Sequence, residues 1–140
     1  MHFAKLIDSL ERFGRTLPIV VRDVTDDDSR WKPPDGAWSI LEVVCHLADE
    51  EEFDFRKRAK LTLSNPSQPW PPIDPEGWAV ERHYNDGILD EAVQRFGRLR
   101  TQSTTWLRSL ESPDWKRAYD HPKLSSVEVS YGSETDLVRP

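Results

Sequence analysis

Residues 31–52 read WKPPDGAWSILEVVCHLADEEE, and the fold turns on how this stretch is read. Pro33 and Pro34 fix φ and cannot continue a helix, while Asp35-Gly36 is turn chemistry. Ser39 then occupies an N-cap position with Glu42 three residues on. This is the S-x-x-E capping box, in which each side chain satisfies a backbone N–H at the helix start. Behind it Ile40, Val43, Val44, Leu47 and Ala48 recur at helical spacing. No proline or glycine intervenes before Asn65-Pro66, so the spacing predicts an unbroken helix to about Leu63, longer than the average of roughly 11–12 residues. His46 lies beside Val43 at the border of the apolar stripe, with Glu42 and Glu50 one turn to either side.

Upstream, Phe3, Leu6, Ile7, Leu10, Phe13, Leu17, Val20, Val21 and Val24 keep helical period straight through Pro18. Gly14-Arg15-Thr16 offers a break, with Thr16 as a cap for a second segment, so one kinked helix or two short ones are expected. Downstream, SNPSQPWPPIDPEGW (64–78) is the most proline-dense segment, and Trp70 and Trp78 argue that it packs. Asp74-Pro75 is a second N-cap and N1 pair, which starts a short helix running to about His83. From Ile88 to Leu110 the apolar positions Leu89, Ala92, Val93, Phe96, Leu99, Trp106, Leu107 and Leu110 mark another long amphipathic helix. Ser112-Pro113-Asp114-Trp115 opens a further turn, which Asp120-His121-Pro122 closes. The last residues have no helical stripe; they read as a tail with a short extended segment at Val127–Val129.

A chain of 140 residues is one domain with room for a real core. A net charge of −6 and a pI near 5.2 argue against nucleic acid, which needs a basic face, and against an anionic membrane surface. No apolar run approaches the roughly 18 residues of a spanning helix, and no signal peptide is legible. Cys45 is the single cysteine, so no internal disulfide forms and a cytoplasmic location is the expectation.

Assembled in this order, the chain resembles the DinB-like family of four-helix bundles. The resemblance rests on W-x-P-x(4)-W-S-x-x-E-x-x-x-H-L-x-D-x-E over residues 31–51, then the RKRAKL, Trp78-to-Tyr84 and FGRLR segments and PDWKRAYDHP, from about Phe3 to Pro122. It implies an all-α, up-down-down-up bundle with a metal site of three histidines. One histidine comes from the second helix, where His46 matches. The other two belong to an H-x-x-x-H pair on the fourth helix. No such pair follows His121-Pro122, so the expectation is a bundle domain over residues 1–124 whose fourth helix is missing or replaced by an irregular tail over 125–140, as a truncated or frameshifted reading frame would leave it. The expected metal residues are His46 and Glu50, with His83 and His121 as substitutes, holding a divalent zinc or nickel ion weakly or not at all. The activity implied is that of a metal-dependent enzyme, by resemblance a transferase joining a small-molecule thiol to an electrophile. The alternative is a non-catalytic helical module that dimerises, or binds a partner, through a groove the fourth helix would have covered; a homodimer is expected.

Bland readings stand beside these. Cys45 points about 100° from His46 and reads as inert packing. Asp49-Glu50-Glu51-Glu52 fans out around a helix and reads mostly as a solvated face. Trp31, Trp38 and Trp106 read as fillers of the core and loop corners. No phosphate loop, nucleophile elbow or zinc knuckle is present.

Overall fold

The computed structural model describes residues 3–119; His121, Val127–Val129 and the 125–140 tail lie outside the described residues. Six α-helices follow in order: α1 (Phe3–Val20), α2 (Asp26–Arg30), α3 (Ile40–Asp49), α4 (Arg56–Ser64), α5 (Pro75–Glu81) and α6 (Leu89–Arg108). A π-helical segment (Glu50–Phe55) joins α3 to α4, and a 3₁₀ turn (Tyr84–Asp86) precedes α6. Among the described residues there is no strand, and no helix is long and apolar enough to cross a membrane.

The start of α3 is the capping box read from the sequence. Ser39 Oγ accepts from the Glu42 N–H at 3.1 Å, and Glu42 Oε2 accepts from the Ser39 N–H at 2.8 Å. The same Ser39 hydroxyl donates to Asn85 Oδ1 at 2.6 Å, and the Asn85 amide donates to the Arg30 carbonyl at 3.0 Å. The cap therefore also fastens α2 and the 3₁₀ turn to the head of α3. Ser39→Ala is expected to cost about 1–2 kcal/mol in a urea melt, since it removes both the cap and the donor to the half-buried Asn85.

Side-chain pairs give the direction of each rod. Arg108, at the end of α6, meets Asp8 and Glu11 near the start of α1 at 2.7 and 2.8 Å, and Arg100 donates to the Leu10 carbonyl. These helices are antiparallel. From Asp49 with Arg95, through Glu51 with Arg100, to Arg56 with Gln102, partners advance together along α3–π–α4 and α6, so these two rods are parallel. The order is up-down-down, as the bundle reading requires. Two consecutive parallel rods need a connection that returns along the bundle. The proline-rich segment, α5 and the 3₁₀ turn supply it.

The core gathers at one end: Leu17 from α1, Leu41, Val44 and Ala48 from α3, and Leu89, Ala92, Val93, Phe96 and Leu99 from α6. By contrast, α4 has no buried residue.

Two local expectations are corrected. Gly14-Arg15-Thr16 does not break α1, which runs unbroken to Val20 with Pro18 in its last turn. Thr16 instead bonds back to the Arg12 carbonyl at 2.9 Å, and a Cβ at Gly14 would lie 3.0 Å from Arg100 Cγ. The glycine is there for close approach of α6, not to end a helix. Trp31 fills no core position: it is 66% exposed.

Candidate metal centre

His46 sits in the last turn of α3 and Glu50 opens the π segment. Their side chains are 24% and 10% exposed, with His46 Nδ1 at 3.7 Å from Glu50 Oε1. That nitrogen is buried and makes no hydrogen bond among the described residues. Trp38 stands edge-on to the imidazole with ring centroids 5.0 Å apart. Burial lowers the imidazole pKa, against the opposing charges of Asp49 and Asp54. Burial also drives the Glu50 carboxyl up to about 7, helped by a hydrogen bond and like charge from Asp54 and opposed by Arg58. Both groups are pushed toward their neutral forms, so the 3.7 Å contact is no ion pair. It leaves a neutral imidazole with a lone pair beside a carboxyl that exchanges its proton near neutrality.

The acidic run departs most from its sequence reading. Asp49, Glu50, Glu51 and Asp54 are all buried rather than solvated. Arginines explain it for Asp49, Glu51 and Asp54. Asp49 receives Arg82 and the Tyr84 hydroxyl on one oxygen and Arg95 at 2.7 Å on the other. Arg95 also reaches Glu52 at 2.7 Å. Glu51 pairs with Arg100 at 2.6 Å, and Asp54 with Arg58. Arg82 is held between Trp78 and Phe53, its guanidinium 4.5 and 4.7 Å from their ring centroids. Buried charges survive only when paired in this way. No spacing rule marks Arg82, Arg95 or Tyr84 as partners of Asp49.

Other candidates do not join the pair. His83 adopts φ of 51° in a connecting turn, is exposed, and lies 3.7 Å from Asp86. His121 lies outside the described residues. Cys45 is a half-buried free thiol whose pKa burial raises to about 11, as an inert packing residue requires. Among the described residues no three His, Cys, Asp or Glu side chains converge to hold an ion. The donor set of His46 and Glu50 suits a divalent metal in kind, and the orphaned Nδ1 fits a ligand. In number it falls short of the three protein ligands usual in a catalytic zinc site.

The topology and this pair define an all-α bundle of the up-down-down kind with one histidine set at the inner margin of its second rod. The chain belongs to the DinB superfamily, which it matches over residues 9–133. It is 26% identical over 123 residues to a protein of Oceanobacillus iheyensis provisionally named a metal-dependent hydrolase, covering 88% of this chain and 70% of that one. It is 27% identical over 123 residues to YfiT of Bacillus subtilis, which carries the same provisional name, covering 88% of this chain and 68% of YfiT. The solved structure of YfiT, described as a probable metal-dependent hydrolase with an unusual four-helix bundle topology, superposes with a TM-score of 0.70 at 26% identity. That match takes in 79% of this chain and 62% of YfiT, so the chain spans less than two thirds of the solved protein.

Proposed function

We propose that this chain is a metal-dependent enzyme domain in which His46 is a metal ligand and Glu50 is its neighbour in the same site. The observation that carries this is the buried Nδ1 of His46, which has no hydrogen bond among the described residues and whose ring burial pushes toward its neutral form. A buried nitrogen without a partner costs stability, and an ion would satisfy it. The provisional names of the two relatives support metal dependence and point to hydrolysis. The family resemblance points instead to transfer of a small-molecule thiol, and both chemistries act on an electrophile. A bound ion would supply Lewis-acid activation of the nucleophile. The described residues close no such site, so the roles assigned here are those of the chain's own groups. His46 offers nitrogen. Burial, reinforced by the neighbouring Asp54 carboxylate, raises the Glu50 carboxyl so that it holds or releases a proton near neutral pH.

Calorimetry with zinc and with nickel on the untagged full chain tests the proposal. One ion should bind per chain, and His46→Ala should weaken binding at least about tenfold, in the range found for loss of metal-site support. No heat with wild type, or equal heats for both proteins, rejects it.

A further inference from the structure

The bundle is open along α4, which buries no residue. A cleft of about 400 Å³ lies there, lined chiefly by Phe55, Ala59, Leu63, Trp70 and Trp115. Phe55 is 59% exposed and Trp115 44%, so two large rings stand in water beside one another. Adjoining apolar surface of this kind marks a place where something docks. The segment after α6 builds the outer wall. Trp115 packs on Phe3 at the head of α1 with ring centroids 3.6 Å apart. Arg117 donates to the Leu63 carbonyl at the end of α4, and Tyr119 stacks on Trp70 with centroids 4.5 Å apart. The chain therefore leaves the described residues at the rim of the cleft, since Trp70 is one of its walls.

The sequence that follows suits this cleft in pattern, charge and reach. Val127, Val129 and Tyr131 alternate, so an extended backbone sets all three on one side. Residues 124–137 carry Glu128, Glu134 and Asp136 and no lysine or arginine. Helix α4 is the reverse: it holds Arg56, Lys57, Arg58 and Lys60 and no carboxylate. Among the described residues only Arg58 of these four meets an acid, Asp54. Val127 stands eight residues beyond Tyr119, a reach of up to about 28 Å in an extended chain. That is twice the ~14 Å length of a nine-residue helix such as α4. We propose that residues 124–131 of this chain cover the cleft, with Val127, Val129 and Tyr131 against Phe55, Leu63 and Trp115 and with Glu128 at the rim among the cations of α4. Charge sets this occupant above a second copy. A two-fold contact brings the same face of each copy together, which would set Arg56, Lys57 and Lys60 against their own counterparts. The family match also runs to residue 133 and so takes in the whole segment.

Nuclear Overhauser spectra of the full chain with methyl-labelled valines test this without any substitution. The Val127 and Val129 methyls should give cross-peaks to the Trp115 indole and the Phe55 ring. In a mixture of labelled and unlabelled protein those cross-peaks should arise within one chain. Val127→Asp with Val129→Asp should abolish them, shift the Trp115 indole N–H, and raise binding of the naphthalene dye ANS severalfold as the cleft opens. The His46 resonances should stay in place in that double variant, which separates loss of docking from loss of the fold. Absence of cross-peaks from both methyls to Trp115 and Phe55 overturns the proposal. Cross-peaks that arise only between chains overturn it too, and give the cleft to a second copy. A Trp115 resonance and a dye affinity that the double variant leaves unchanged overturn it as well.

Discussion

Replacing Asp49 with alanine should destabilise the protein by about 3–5 kcal/mol, the largest loss expected from any single carboxylate here. Asp49 is 1% exposed and receives two guanidiniums and a phenol, so removing it strips the buried Tyr84 hydroxyl and the partly exposed Arg82 and Arg95 of their shared anion. Burial, and then its bond to this carboxylate, raises the Tyr84 pKa. Domains of this size are stable by roughly 5–15 kcal/mol in all. The thermal midpoint should therefore fall by on the order of 10 °C or more. Asp49→Asn, which keeps the shape and loses the charge, should fall in between. A midpoint within about 2 °C of wild type for Asp49→Ala would mean that the arginines find water instead, and that the knot is not buried as described.

Arg100 should show the second large effect. It is 8% exposed, joins the π segment to α1 through Glu51 and the Leu10 carbonyl, and lies 5.0 Å from the Phe96 ring centroid. Arg100→Ala strands a buried Glu51 and should cost about 3–5 kcal/mol. The double replacement Glu51→Met with Arg100→Met should cost much less, because no charge is left unpaired and the volume is kept. Chemical denaturation of the single and double variants measures the difference. A double variant as unstable as Arg100→Ala would show that the pair itself, not the abandoned charge, carries the stability.

These two predictions fall on residues whose burial was not legible in the sequence, for a definable reason. The capping box was legible because Ser39 and Glu42 act within one turn, and so was the amphipathic stripe from Ile40 to Ala48. Helix α6 followed from the same periodicity, and α5 from Asp74-Pro75. The resemblance to the DinB-like bundles was carried by the short string around His46, and the family match agrees with it. Asp49, Glu51 and Asp54 are buried because arginines more than 30 residues on, Arg82, Arg95 and Arg100, turn inward to meet them; for Asp54 the partner is Arg58, one turn along. Helical spacing carries no sign of such pairings. The π segment was hidden too, since its i→i+5 bonds leave no residue signature in EEEFDF. Gly14 misled in the opposite sense. A mid-helix glycine reads as a break, yet here it makes room for Arg100.

The candidate site was half legible. His46 and Glu50 were singled out by their position on the rod, and the structure puts them 3.7 Å apart. That both groups are pushed toward their neutral forms depends on burial and, for Glu50, on Asp54, neither of which spacing reveals. Trp38 beside the imidazole was read only as a filler.

The state of one nitrogen tests the central claim most directly. In nitrogen-15 spectra of the full chain at pH 7, His46 should appear as a neutral imidazole. On addition of one equivalent of zinc its Nδ1 resonance should move, while that of the exposed His83 stays in place. A His46 ring that is protonated at pH 7, or one whose Nδ1 ignores zinc, would contradict the assignment of this residue as the chain's metal ligand.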